Sequence, residues 1–181
     1  MNIAPFEGEA RVAEALLALR DELSIKHVVE TGTGFGFDSQ WFVEHFDKLT
    51  SIEIQRNLQR RAATLMPKGD FICGDAGEKM ASIVEAVPRD EIVLFFLNGF
   101  RTDRPEVMRE LRAICRLRQF VVVVNCIKSD EASRLPGTTM TSLRQLLDDI
   151  CPLWKSVSLS EEGATMKRVL IYPAGLTINS V

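Results

Sequence analysis

Residues 28–37 read V-V-E-T-G-T-G-F-G-F, and this stretch decides the fold class. A short β-branched run ends in an acid, Glu30, and glycine then stands at every second position: Gly32, Gly34 and Gly36. The next segment, Asp38 to Phe46, carries Trp41, Phe42 and Phe46 on one side, with Asp38 placed to cap it. Apolar run, glycine loop and amphipathic segment predict strand, tight turn and helix, the opening unit of a doubly wound nucleotide-binding sheet. Glycine suits the turn because it lets the backbone bend sharply and a ligand approach the main chain. The dinucleotide fingerprint G-x-G-x-x-G would need a third glycine at position 37, where this chain has Phe37.

Outward from the loop, strand-like and helix-like segments alternate. Glu7 to Leu23 carries Val12, Leu16, Leu19 and Leu23 on one helical face. Strands are expected over 26–30, 49–54, 70–73, 91–97 and 119–124, with helices over 38–46, 55–66, 77–87, 105–116 and 139–150. The run E-I-V-L-F-F-L (91–97) is continuously apolar, as a strand buried on both faces should be. Two last strands, 153–159 and 167–172, are joined by the short segment E-E-G-A-T. Five β-α units and a terminal hairpin give an α/β fold with a mostly parallel sheet ending in an antiparallel strand.

The E-x-G-x-G-x-G pattern from Glu30 resembles motif I of the class I S-adenosylmethionine (SAM)-dependent methyltransferases, and the order of elements over residues 10–173 resembles theirs as well. The resemblance implies a seven-stranded, Rossmann-like doubly wound sheet with helices on both faces, formed by residues 1–181 as one domain. It also implies SAM as cofactor. The loop Glu30, Thr31, Gly32, Thr33, Gly34 and Gly36 would pack under the sulfonium amino acid, with Glu30 near its ammonium end. Glu53, 21 residues after Gly32 and followed by Ile54, would accept hydrogen bonds from the ribose diol. Gly74, Asp75 and Ala76, beyond the third strand, would hold the adenine, although Asp75 is equally suited to cap the following helix. Three acids at three strand ends, with no basic residue in the loop, suit a cationic ligand without a phosphate.

The fourth and fifth strand ends depart from the family pattern. Small relatives carry L-D-G-H or L-D-A-H at the fourth, and this chain has Leu97-Asn98-Gly99-Phe100; the fifth ends in Val124-Asn125-Cys126. Asparagine in both places removes the obvious general base and any carboxylate pair for a divalent metal, so no metal site is expected. Asn98 is then the candidate for positioning the acceptor, and it also counts among the cofactor-binding residues. Phe100, Arg101, Arg104 and Asn125 are the candidate substrate contacts, the two arginines as clamps for a carboxylate or phosphate. The other four arginines of residues 101–118 read as a solvated helix face. His27 and His45, the two histidines, stand at positions unsuited to catalysis.

A formal charge of −3 and a pI near 5.5 argue against nucleic acid and anionic membranes as partners. No basic, apolar leader opens the chain, and the four cysteines are widely spaced with no C-x-x-C pair, so a reduced cytoplasmic setting is expected. The leading reading is a metal-independent methyltransferase acting on a small molecule, because positioning and desolvation accelerate methyl transfer without a strong base. The alternative is a degenerate protein that binds SAM or S-adenosylhomocysteine (SAH) without turnover, as a partner subunit or sensor. An NAD-dependent oxidoreductase is disfavoured by Phe37 and by the terminal hairpin. Few residues are left over to cap an acceptor, so the acceptor is small or a second subunit, as in a homodimer, covers part of it.

Overall fold

A computed structural model describes residues 4–98, 106–128, 140–151, 153–160 and 166–181. A tight turn, Pro5–Gly8, leads into α1 (Ala10–Leu23). There follow β1 (His27–Thr31), α2 (Phe37–His45), β2 (Lys48–Glu53), α3 (Arg56–Leu65), β3 (Asp70–Cys73) and α4 (Ala76–Glu85). The second half holds β4 (Val93–Leu97), α5 (Glu106–Ile114), β5 (Val121–Lys128), α6 (Met140–Ile150), β6 (Trp154–Ser158) and β7 (Met166–Pro173).

The strands form one seven-stranded sheet in the order β3-β2-β1-β4-β5-β7-β6. β1 to β5 are parallel, and β7 runs antiparallel between β5 and β6. The chain winds outward in opposite directions from β1 and β4, so the topological switch point lies between them. Their registers match, Glu30 opposite Phe96 and Thr31 opposite Leu97, and the Asn98 N–H donates to the Thr31 carbonyl at 3.0 Å.

Alternation along the central strands explains why both sheet faces are apolar. Val28, Leu94, Phe96, Val121, Val123 and Leu170 face the side carrying α1 and α2. Val29, Val93, Phe95, Leu97, Val122, Val124 and Ile171 face the side carrying α4, α5 and α6. Each fully buried aromatic or aliphatic side chain of this kind contributes about 1.5–3 kcal/mol by leaving water. On the α1–α2 side, Phe6 sits edge-on to Trp41, Phe42 and Phe96 at centroid distances of 4.9, 5.7 and 5.5 Å. Trp41 is therefore a packing residue, and it stacks on His45 at 4.4 Å.

Most element ends shift by one to three residues from the sequence reading, and three differences bear on the site. The first helix starts at Ala10, because Phe6 and Glu7 adopt left-handed backbone (φ 53° and 58°) and break the helical run. Asp38 does not cap α2. Gly36 is its N-cap and makes no side-chain cap, and Asp38 lies inside the first turn with its carboxylate engaged elsewhere. β5 runs to Lys128, with an irregularity in its pairing to β7 between Val124 and Ile127, so Asn125 sits at a kink within the strand and not at its end. The C-terminal segment docks on α1: the Asn179 and Ser180 N–H groups donate to the Glu22 carboxylate, and Leu176 is buried.

Candidate functional site

The glycine loop leaves the C-terminal end of β1, beside the switch point. Gly32, Gly34 and Gly36 all have positive φ (77°, 55° and 87°), so the spacing of the motif follows from the turns the loop makes. Its ends are tied by Gly32 N–H to the Ile52 carbonyl (2.8 Å) and Gly36 N–H to the Thr33 carbonyl (2.9 Å). A Cβ placed on Gly34 would meet nothing nearer than the Gly32 carbonyl oxygen at 4.0 Å, so this side of the loop stands open. Glu53, at the end of β2, fixes the loop: one carboxylate oxygen accepts the Gly34 N–H at 2.9 Å and the other the Gln55 N–H at 2.8 Å. Each oxygen keeps a second lone pair for a ligand hydroxyl.

Glu30 lies beneath the loop with no exposed surface. One of its oxygens accepts the Ser39 and Ser51 hydroxyls at 2.5 and 2.6 Å, and the other, Oε1, has no partner among the described residues. Ser51 spends its proton on Glu30, so Thr33 donates to Ser51 at 2.6 Å. Burial pushes the Glu30 carboxyl up to about 8, and the nearby charges of Asp38 and Glu53 push the same way. Gly74, Asp75 and Ala76 lead into α4. Asp75 does cap that helix, accepting the Glu78 N–H at 3.0 Å, and Arg109 stands 3.3 Å from its carboxylate. Ile54 at 58%, Phe35 at 67% and Phe37 at 41% exposure line this end of the sheet with apolar surface.

The other half of the site is assembled from distant parts of the chain. Asn98, just past β4, donates to Asp38 at 3.2 Å and accepts from the buried Asn125 at 2.5 Å. The second Asp38 oxygen accepts the Phe6 N–H at 2.7 Å. Burial raises the Asp38 carboxyl above its usual range, while the Phe6 N–H and the positive charge of Arg168 pull it back. Arg168, on β7, is buried and holds the opening turn through Glu7, Glu9 and the Phe6 carbonyl. Of the candidate substrate contacts, Phe100, Arg101 and Arg104 lie outside the described residues. Among the described residues no group of three or more His, Cys, Asp or Glu side chains could hold a metal ion. His27 is buried at the start of β1 against Thr50, away from the strand ends, and burial pulls it down to about 4.

No protein-family model matches the sequence, and no curated protein matches it. Solved structures do match in shape. The O-methyltransferase TomG from Streptomyces achromogenes, involved in tomaymycin synthesis and solved with SAM, is 16% identical, with a TM-score of 0.68 over 96% of this chain and 83% of that one. An O-methyltransferase from Bacillus cereus solved with SAH is 14% identical, with a TM-score of 0.64 over 89% of this chain and 79% of its own. The 1,6-didemethyltoxoflavin-N1-methyltransferase of Burkholderia thailandensis is 18% identical, with a TM-score of 0.55 over 92% and 78%. The fold is that of the class I methyltransferases.

Within this methyltransferase fold, sequence reasoning found the first three strand ends and missed two residues of the other half. Asp38 carried the features of a helix cap, and only the folded chain brings it to Asn98. Arg168 left a fainter signal, a cation beside the apolar run V-L-I-Y of the last strand, where a charge is buried only with partners.

Proposed function

We propose that the protein is a SAM-dependent methyltransferase acting on a small-molecule acceptor without a metal. The observation that carries this reading is the glycine loop itself. Three left-handed glycines hold it open, Glu53 fixes it with lone pairs to spare, and a buried Glu30 beneath it keeps one oxygen without a partner among the described residues. Those groups fit a ligand with an ammonium group, a positive sulfur and a ribose diol. Bound there, SAM would supply an electrophilic methyl group on a sulfonium. Glu30, Thr31, Gly32, Thr33, Gly34 and Gly36 would hold its amino-acid end, Glu53 and Ile54 the ribose, and Gly74, Asp75 and Ala76 the adenine.

Asn98 orients the acceptor, since an amide has no useful basicity near neutral pH. Asp38 and Asn125 fix which way that amide points, because one accepts from its N–H and the other donates to its oxygen. Asp38 also supplies the carboxylate that Asn98 and Asn125 lack. With no carboxylate pair at Asn98 and Asn125, the reaction proceeds by positioning, and the acceptor is uncharged at its attacking atom or deprotonated by a neighbour. Residues 1–181 act as one domain in a cytoplasmic setting, and a second copy of the chain is the candidate cover for the acceptor. No helix is long and apolar enough to cross a membrane among the described residues. The test is incubation with methyl-labelled SAM and a panel of phenols, amines and carboxylates in EDTA. Label transfer to any of them supports the reading, and SAH binding without transfer to any contradicts it.

A further inference from the structure

Arg168 is a cation at the acceptor side that methyl transfer itself leaves unexplained. It is 3% exposed and lies on β7 opposite the irregularity of β5 that contains Asn125. Its guanidinium is held from the far end of the chain. Nη1 donates to Glu9 at 2.5 Å, and Nη2 donates to Glu7 at 3.0 Å and to the Phe6 carbonyl at 3.3 Å. Its Nε has no partner among the described residues, and neither does the buried Asn125 Oδ1. Two orphaned polar atoms, each on a residue more than nine-tenths buried, mark this corner as built for something beyond a salt bridge.

The two acidic partners of Arg168 differ. Glu9 is the residue that opens α1, and Phe6 is locked in the aromatic cluster. Glu7 has 74% of its side chain in solvent and sits on a left-handed backbone that an L-residue adopts with strain. Both ion pairs have an exposed partner, Glu9 at 42% and Glu7 at 74%, and the more exposed Glu7 is the contact most easily replaced. Arg168 keeps the Glu9 carboxylate when Glu7 leaves, so the exchange never strips the buried guanidinium of its anion. Its planar fork matches another carboxylate in the same geometry.

We propose that Arg168 anchors a carboxylate on the acceptor, and that Glu7 fills this position until the acceptor displaces it. The proposal rests on the methyl-transfer reading only in calling the bound molecule an acceptor. Distance supports it. The Phe6 carbonyl meets Arg168, the Phe6 N–H meets Asp38 at 2.7 Å, and Asp38 meets Asn98 at 3.2 Å. A molecule anchored at Arg168 therefore lies about one residue's span and two hydrogen bonds from the amide that orients the reacting group.

The opening turn carries its own reporter, because Phe6 packs edge-on against Trp41 at 4.9 Å. With Trp154→Phe as background, Trp41 is the remaining tryptophan of two. Benzoate, and its neutral isostere benzamide, are titrated against Trp41 emission with and without SAH. Benzoate should give a saturable shift and benzamide none. Glu7→Gln, an exposed change that leaves packing intact, should tighten benzoate by about 2- to 5-fold, the size of the competing ion pair. Arg168→Lys should weaken it by about tenfold or more by losing the fork. The proposal is overturned if benzamide matches benzoate, or if benzoate affinity is the same in Glu7→Gln. A benzoate response that follows Glu7 while SAH fails to bind would leave the anion site standing and remove the methyl-transfer reading. SAH binding with no benzoate response in either protein would do the reverse.

Discussion

The two halves of the site are built in opposite ways. On the β1–β3 side, the glycine loop and its acids come from one continuous motif and from strand ends that follow in order. On the β4–β7 side, Asp38, Asn98, Asn125 and Arg168 meet across more than a hundred residues, under a turn formed by Pro5–Gly8. The first half is acidic, with a buried carboxyl oxygen that has no partner among the described residues and an open loop. The second is a closed polar relay in which amides face a carboxylate and a guanidinium is covered. If the loop holds the cofactor and the relay faces the acceptor, as proposed, the acceptor side can vary through such long-range contacts while the motif stays fixed.

If the halves are separable, changes on one side should leave the other nearly untouched. The largest effect is expected from Gly34→Val. A branched side chain there enters the open side of the loop at a left-handed φ, a strain of about 1–2 kcal/mol. SAM binding should disappear in calorimetry while circular dichroism keeps the α/β signature; retained affinity would move the site off the loop. Next in size is Glu53→Ala, which removes the support of Gly34 and the proposed ribose partner. Its cost should be roughly 1.5–3 kcal/mol of SAM affinity, the range for hydrogen bonds to a charged group. An unchanged dissociation constant in the folded variant would take Glu53 out of the site.

Glu30 sharpens the comparison through pH. Its carboxyl is held at about 8, against an ordinary 4.5, so the native state retains a proton that the unfolded chain releases. The stability this gives is full below pH 4.5 and is lost as pH rises through 8. His27 acts with the opposite sign, being held near 4 against 6.5, so its neutral form favours the fold above pH 6.5 and that support is lost toward pH 4. The two slopes offset each other between about 4.5 and 6.5. Between pH 6.5 and 8 the Glu30 slope stands alone and should lower stability by roughly 2 kcal/mol. Urea melts across that window should show the decline in the wild type and a flat profile in Glu30→Gln; a decline of the same size in both would exonerate Glu30.

Asn98→Ala tests separability from the other side. It should lower turnover on any accepted substrate and shift SAM affinity by less than about 0.5 kcal/mol, within the range of changes away from a binding contact. A loss of SAM affinity as large as that of Glu53→Ala would merge the two halves. Asn98→Asp should not rescue a base, because it sets a second carboxylate against Asp38. The smallest effect is expected from chelation: EDTA should leave activity unchanged, and a magnesium requirement restored on add-back would show that Asn98 and Asn125 had been misjudged.

The same contrast explains what the sequence disclosed. Periodicity located the seven strands and six helices because burial on two sheet faces imposes it, and the boundaries moved mainly where tertiary contacts intervened. Glu7 to Glu9 stand outside the helix because the turn before it is held by Arg168 and Asp38. Gly32, Gly34 and Gly36 were legible because turn geometry demands glycine locally. Asp38 was not, because an acid at the start of a helix segment looks like a cap until Asn98 is brought beside it. Asp75 looked like a cap and is one, and its carboxylate also faces Arg109.

The central claim is that the glycine loop is a SAM site and the relay around Asn98 is not part of it. Calorimetry of SAH, SAM and NAD against the wild type, Gly34→Val and Asn98→Ala tests it most directly. SAH and SAM should bind the wild type and Asn98→Ala with closely similar affinity and should not bind Gly34→Val, and NAD should bind none of them. NAD binding to the wild type, or SAH binding that survives Gly34→Val, would contradict it.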